Sequence, residues 1–372
     1  MAEKYRHHYV SQALVSNWSE DGKHASWYDP TENRSIKNGG ISRYFHENLT
    51  DLTPEYELTL DRIDIFFSGL IKTFLDGDFD DFKEKDLMSA REIMMFQLLR
   101  TPSGVFSPGK MISKLTYGTM MSGSGMTKKE RKEMMRTEEV TDALNQMIIY
   151  GIDILDMEAV LLKAPENSSF ILGSVPVTQI NPYFSEEEPD VLPGMQSFEL
   201  WGAVLVLPLS PDSALCLYDP ETYTAEGKDG ICVLTVKDMD MLNTAMLYNG
   251  GKEGGFIHTC GEDYIDALMQ DLDDDDFYRE SFFGDLPHEY PFETELSVLK
   301  VRKEAQKKIR ERERSVIRPY ISAIVDYDDE HLDIKQGVEL PSPSLVTCKP
   351  CQTGKIFSPT QYSYAERQYA EA

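Results

Sequence analysis

The segment Trp201-Gly202-Ala203-Val204-Leu205-Val206-Leu207-Pro208-Leu209-Ser210-Pro211-Asp212-Ser213-Ala214-Leu215-Cys216-Leu217-Tyr218 decides the fold class. Two short β-rich runs, Trp201 to Leu207 and Ala214 to Tyr218, are divided by proline and polar residues. Runs of the same kind stand on either side: Ala159 to Leu162, Ser169 to Leu172, and Ile231 to Val236. Such spacing predicts an antiparallel sheet or meander rather than βαβ units. Lys237 to Tyr248 reads as a helix laid against it, Asn249 to Gly255 as a flexible turn, Phe256 to His258 as a last strand, and a short helix follows through Met269.

Upstream, the period changes to that of helices. Thr53-Pro54-Glu55 places a hydroxyl, a proline and an acid where a helix start wants them. Leu58, Ile63, Ile65, Phe66, Phe67, Leu70 and Phe74 then give a wide apolar face, closed by Gly77. Asp86 to Leu99 is apolar enough to be buried, and Pro102 ends it; Met111 to Met121 and Thr127 to Tyr150 read as further helices. The paired methionines in them are adaptable core filler. Before all of these, Ser11 to Trp18 predicts a short helix, His24 to Tyr28 a strand, and Asp29 to Asn33 a turn. The expected class is α+β: an N-terminal helical region, a mostly antiparallel sheet, and a charged C-terminal extension. We divide the chain into a main domain over 1–270 and an extension over 271–372.

The bulk composition narrows the setting. No apolar run approaches the roughly 20 residues that span a bilayer, so no membrane partner is expected. The N-terminus carries basic residues with no apolar segment behind them, unlike a secretory signal. Cys216, Cys232 and Cys260 sit among apolar or small residues, and Cys348-Lys349-Pro350-Cys351 is a lone pair short of four zinc ligands. A reducing, cytoplasmic location fits this usage. Net charge is -27, from 37 basic and 64 acidic residues, a field that repels phosphate backbones without excluding a local basic site.

Several segments together resemble a bacterial family known as domain of unknown function 4238. Its His-Tyr-Val-Pro-Gln opening is similar to His8-Tyr9-Val10-Ser11-Gln12, with Ser11 in place of proline, and its following Asn-aromatic pair to Asn17-Trp18. Tyr28-Asp29, Lys37-Asn38, the helix end Arg100-Thr101-Pro102 and the stretch Leu207 to Pro211 also resemble family motifs. The loop Gly173-Ser174-Val175-Pro176-Val177 keeps the family's Pro-Val and lacks its acid and amide. The resemblance implies a fold and a bacterial or phage setting, and no reaction.

Candidate chemistry concentrates in those motifs. Histidine exchanges protons near neutral pH and binds metals, which singles out His8; His7 points to the other face of an extended segment. His8, Asp29, Lys37, Asn38 and Arg100 form the candidate catalytic set. Within it His8 and Asp29 would hold magnesium or manganese, and the Arg100 fork would pair with phosphate oxygens. Equally open is a structural role for His8 and Arg100. No phosphate loop, nucleophile elbow, H-E-x-x-H or calcium loop is present.

In the extension, Asp271 to Asp276 is an acidic run and residues 300–318 a basic island. Lys303, Lys307, Arg310 and Arg314 of that island are candidate binding residues for nucleic acid or an acidic partner; a charged surface helix, or a helix folded onto the acidic run, remain alternatives. Two functions follow as expectations. One is a metal-dependent hydrolase of nucleic acids or nucleotides, linked to conflict between phage and bacteria. The other is a non-enzymatic acidic protein that binds a protein partner.

Overall fold

The computed structural model describes residues 4–29, 32–50, 54–77, 79, 82–101, 154, 156–182, 202–250, 255–270, 278–281, 284–287, 295–303, 325–328 and 331–334. Lys4–His8 form β1, Gln12–Val15 a short helix α1 that continues as a tight turn over Ser16–Trp18, then come β2 (His24–Asp29), β3 (Arg34–Gly40) and β4 (His46–Thr50). Two long helices follow, α2 (Pro54–Leu75) and α3 (Glu84–Arg100). Next stand β5 (Glu158–Lys163), β6 (Leu172–Gly173), β7 (Thr178–Ile180), β8 (Val204–Ser210), β9 (Ser213–Tyr218), β10 (Tyr223–Ala225) and β11 (Ile231–Val233). The series ends with α4 (Val236–Gly250), β12 (Phe256–His258), α5 (Glu262–Gln270), the pair β13 (Tyr278–Ser281) and β14 (Gly284–Pro287), β15 (Leu299–Val301), and the pair β16 (Val325–Asp328) and β17 (His331–Ile334).

The class is α+β, with mostly antiparallel sheets. A five-stranded sheet has the order β11-β5-β9-β8-β7, antiparallel throughout except where β11 runs parallel to β5. The two runs that opened the sequence reading pair as its central hairpin, β8 with β9. Nearly every residue of both strands is buried, because helices cover the sheet and leave no solvated face to demand alternation. Pro208 stands near the end of β8, opposite Ala214 of β9 and beyond Val206, the last β8 residue paired with β7. Phe67 of α2 and Phe96 of α3 stack at 4.5 Å inside the same core.

A second sheet, β3-β2-β12-β6, is antiparallel and places a late strand beside an early one. Strand alternation gives it two different faces. Ala25, Trp27, Ile257 and Leu172 enter the main core, whereas Tyr28 and Phe256 join Met246, Leu247, Ile265 and Leu268 in a smaller cluster under α4 and α5. Trp27 stacks on Tyr44 at 4.3 Å, and glycine is required around that stack. A Cβ at Gly39 would stand 1.6 Å from the Tyr44 hydroxyl oxygen, and one at Gly255 2.0 Å from the Trp27 ring.

Several expectations need correction. Of the four strands that precede the long helices, β2 matches the strand expected over His24 to Tyr28, whereas β1, β3 and β4 were not expected. Ile65 is 74% exposed and lies off the apolar face of α2. The third β-rich run stops at Val233, and α4 starts at Val236 because Thr235 and Asp238 cap it reciprocally: Asp238 Oδ2 accepts from the Thr235 N–H (2.8 Å), and Thr235 Oγ1 from the Asp238 N–H (3.2 Å). Asn249 and Gly250 belong to α4, and Gly255 is a packing glycine. Ser169 and Phe170 precede the two-residue β6. Leu296, Val298 and Leu299, assigned by sequence to the extension, are buried in the main core, where β15 pairs with β10. The expected helices over 111–121 and 127–150, the acidic run and the Cys348 and Cys351 pair lie outside the described residues. Among the described residues no helix is long and apolar enough to cross a membrane.

Candidate functional site

The structure places the candidate residues on separate elements: Asp29, Lys37 and Asn38 in the second sheet, His8 in the β1–β4 pair, and Arg100 at the end of α3. His8 ends β1 opposite His46 of β4, their rings 6.0 Å apart. Its Nδ1 lies 3.3 Å from the Tyr44 carbonyl oxygen and its Nε2 2.9 Å from the Gln12 amide nitrogen. Because a carbonyl only accepts, Nδ1 carries the proton and Nε2 accepts from Gln12. The rest of the family-like opening is tied down in the same way. Gln97 of α3 donates to the Tyr9 carbonyl (2.9 Å), Asn17 to Leu209 (2.8 Å), and the Trp18 indole to Phe170 (3.0 Å). Asp29 ends β2 on the Trp27 face, where its Oδ1 accepts the Glu32 N–H at 3.3 Å. Asn38 lies in β3 with φ +55, a left-handed conformation that asparagine tolerates better than most residues.

Lys37 goes to the other face: its ammonium reaches Glu262, the first residue of α5, at 2.8 Å. Among the described residues no three His, Cys, Asp or Glu side chains form a group able to hold a metal. Arg100 is the last residue of α3 and its side chain lies outside the described residues. Lys303 follows β15 on the surface; Lys307, Arg310 and Arg314 lie outside the described residues.

What Lys37 reaches is a junction that no sequence motif announced. β12 ends in His258, which is buried, and α5 begins four residues later. His258 Nδ1 lies 3.2 Å from the Cys260 carbonyl oxygen, so Nδ1 is the protonated nitrogen of the neutral ring. The lone pair of Nε2 then faces Ser35 of β3, whose hydroxyl oxygen is 3.5 Å away and donates to it. Antiparallel register explains the meeting: Phe256 stands opposite Tyr28 on one side of β2 and Ser35 on the other, all on one face. Ser35 is half-buried, and Asn33, Arg34, Lys37, Thr259, Gly261 and Glu262 around it are exposed, so the hydroxyl borders solvent.

Behind the junction runs a hydrogen-bonded chain. Ser169 Oγ is 3.2 Å from Cys260 Sγ and accepts from Thr259 Oγ1 at 3.1 Å. Asn243 of α4 donates to the Ser169 carbonyl and to the Tyr264 hydroxyl, both at 3.0 Å, and Tyr264 donates to Asp240 at 2.9 Å. These bonds fix the turn 259–261 against α4, and with it the carbonyl that orients His258.

The electrostatics separate the groups by role. Burial lowers the His258 pKa, opposed by the Cys260 carbonyl and the Glu262 carboxylate, with a net downward shift; the ring is neutral at pH 7. Burial raises the Cys260 thiol, which is therefore not a thiolate nucleophile. Lys37 is raised and Glu262 lowered by their mutual hydrogen bond, an exposed pair of small energetic weight. The arrangement offers a hydroxyl, a neutral imidazole aimed at it, and a carboxylate near enough to favour the imidazolium.

Such a fold and junction define an α+β protein with a hydroxyl–imidazole pair at a sheet edge. Residues 6–253 match the model of the family described as Protein of unknown function (DUF4238), and the chain belongs to that family. No curated protein and no solved structure matches it. Ser35 and Lys37 lie inside the matched stretch; His258, Cys260 and Glu262 lie just beyond it. Sequence reasoning passed over Ser35 and His258 because 223 positions separate them. The one local hint was the position of Ser35, between the family-like Tyr28-Asp29 and Lys37-Asn38.

Proposed function

We propose that this chain is a hydrolase, with His258 as its general base at the junction of β3, β12 and α5. The supporting observation is the orientation of the ring: Nδ1 is committed to the Cys260 carbonyl, and Nε2 faces the Ser35 hydroxyl. Hydrogen-bond reach, a fixed tautomer and a neutral ring are what a general base needs. Of the original candidate set, Lys37 adjoins this site through Glu262. His8 and Asp29 offer a metal fewer than three such ligands among the described residues, so no step is routed through magnesium or manganese. The charge of -27 favours an uncharged or cationic substrate over nucleic acid.

A panel of esters, amides, phosphodiesters and nucleotides, with and without magnesium or manganese, tests the proposal on the full chain. Hydrolysis by the wild type that is lost in His258→Gln and kept in His8→Ala supports it. Hydrolysis that survives in His258→Gln, or none by any variant, contradicts it and turns attention to protein partners of the acidic surface.

A further inference from the structure

We infer that Ser35 is a covalent nucleophile and that the substrate is a carboxylic ester, the Ser35–His258 pair passing through an acyl-serine intermediate. This inference rests on the hydrolase reading above and goes beyond it in naming the reacting atom and the substrate class.

Three nucleophile types stand at the junction, and the geometry chooses among them. Cys260 Sγ is turned toward Ser169, and burial keeps its proton on. Thr259 Oγ1 donates to Ser169 Oγ and is thereby occupied. Ser35 alone of the three has its hydroxyl directed at an imidazole nitrogen, which is the arrangement that makes a serine nucleophilic. At 3.5 Å the contact is long, as such contacts often are before substrate binds. In the familiar triad a carboxylate orients the imidazole; here the Cys260 carbonyl does so, and the Glu262 carboxylate acts through space.

The steps balance as follows. Ser35 Oγ bonds to the ester carbonyl carbon while its proton passes to His258 Nε2, giving a tetrahedral oxyanion and an imidazolium. The bond from carbon to the alkoxy oxygen then breaks, and the imidazolium returns the proton to the departing alcohol. Water adds to the acyl-serine with His258 again taking a proton, and collapse releases the carboxylic acid and free Ser35. No oxidant, reductant or metal enters. The net charge of -27 over the whole chain adds no repulsion to a neutral acyl group, which favours an ester over a phosphodiester.

The test is labelling of the full chain with a fluorophosphonate probe, followed by peptide mass mapping, with p-nitrophenyl acetate turnover measured in parallel. The expected result is one label per chain on Ser35, absent in Ser35→Ala, with turnover of the acetate ester lowered at least 100-fold in that variant and its melting temperature unchanged within a few degrees. A label on another residue overturns the inference. Turnover that depends on His258 but not on Ser35 overturns it while leaving the hydrolase reading intact; no turnover and no label overturns both.

Discussion

Two histidines in different sheets, His8 in β1 and His258 in β12, meet the same kind of partner at one ring nitrogen and different partners at the other. His8 and His258 each commit Nδ1 to a backbone carbonyl, at 3.3 and 3.2 Å. They differ in what the second nitrogen meets. For His8 it is the Gln12 amide, four residues along the same segment. For His258 it is a hydroxyl delivered by a strand from the other end of the chain, beside a carboxylate and open to solvent. On the proposed reading, the histidine in the family-like signature is not the reactive one. The long-range partner decides.

The largest effect that sharpens this contrast is kinetic. His258→Gln should lower hydrolysis by about 10²- to 10⁴-fold, the usual worth of a general base, whereas His8→Ala should change it less than about twofold. Steady-state rates on one ester substrate, with circular dichroism to show that both variants fold, check the pair. Equal losses would erase the distinction.

Next comes packing around the Trp27 stack, on the His8 side. Gly255→Ala puts a methyl where the indole already stands and should destabilise the fold by about 1–3 kcal/mol by overpacking. His8→Ala, which removes two hydrogen bonds, should cost about 1–2 kcal/mol by urea titration. If His8→Ala costs nothing, its hydrogen bonds are not what holds the signature in place.

pH separates the two sites further. The His258 pKa in the folded protein lies below its ordinary value of 6.5, so the unfolded chain takes up a proton first as pH falls. The stability tied to this ring is thus full above 6.5 and is lost as pH falls through the folded value; activity follows the same limb. A pH–rate profile that keeps its activity at pH 6.5 and declines only below it is expected, unchanged in His8→Ala. The smallest effect lies away from both rings. Thr178 is buried in β7 with a hydroxyl that has no partner among the described residues, and Thr178→Val should be neutral or stabilising by up to about 1 kcal/mol.

Much of the architecture was legible because it follows local periods. The helical spacing of Ile63, Phe67 and Phe74 marked α2, and the β-rich runs at 159–162, 201–207 and 214–218 marked the large sheet, in which the second run pairs from Val204. The T-x-x-D pattern of Thr235 and Asp238 was also readable and would have set the start of α4 correctly. β3 was not legible, because Arg34 to Gly40 has neither alternation nor β-branched weight beyond Ile36. The junction was illegible for a different reason: register between β2, β3 and β12 is a tertiary fact, and it alone brings Ser35 to His258. Asn38 shows the converse, a motif residue with a sufficient explanation in backbone conformation.

The most direct measurement is the tautomer of His258 by nitrogen-15 NMR of histidine-labelled protein at pH 7, assigned by comparison with His258→Gln. A neutral ring protonated at Nδ1, with Nε2 carrying the lone pair, is the predicted result. A ring protonated at Nε2, or an imidazolium at that pH, would contradict the assignment of His258 as the base.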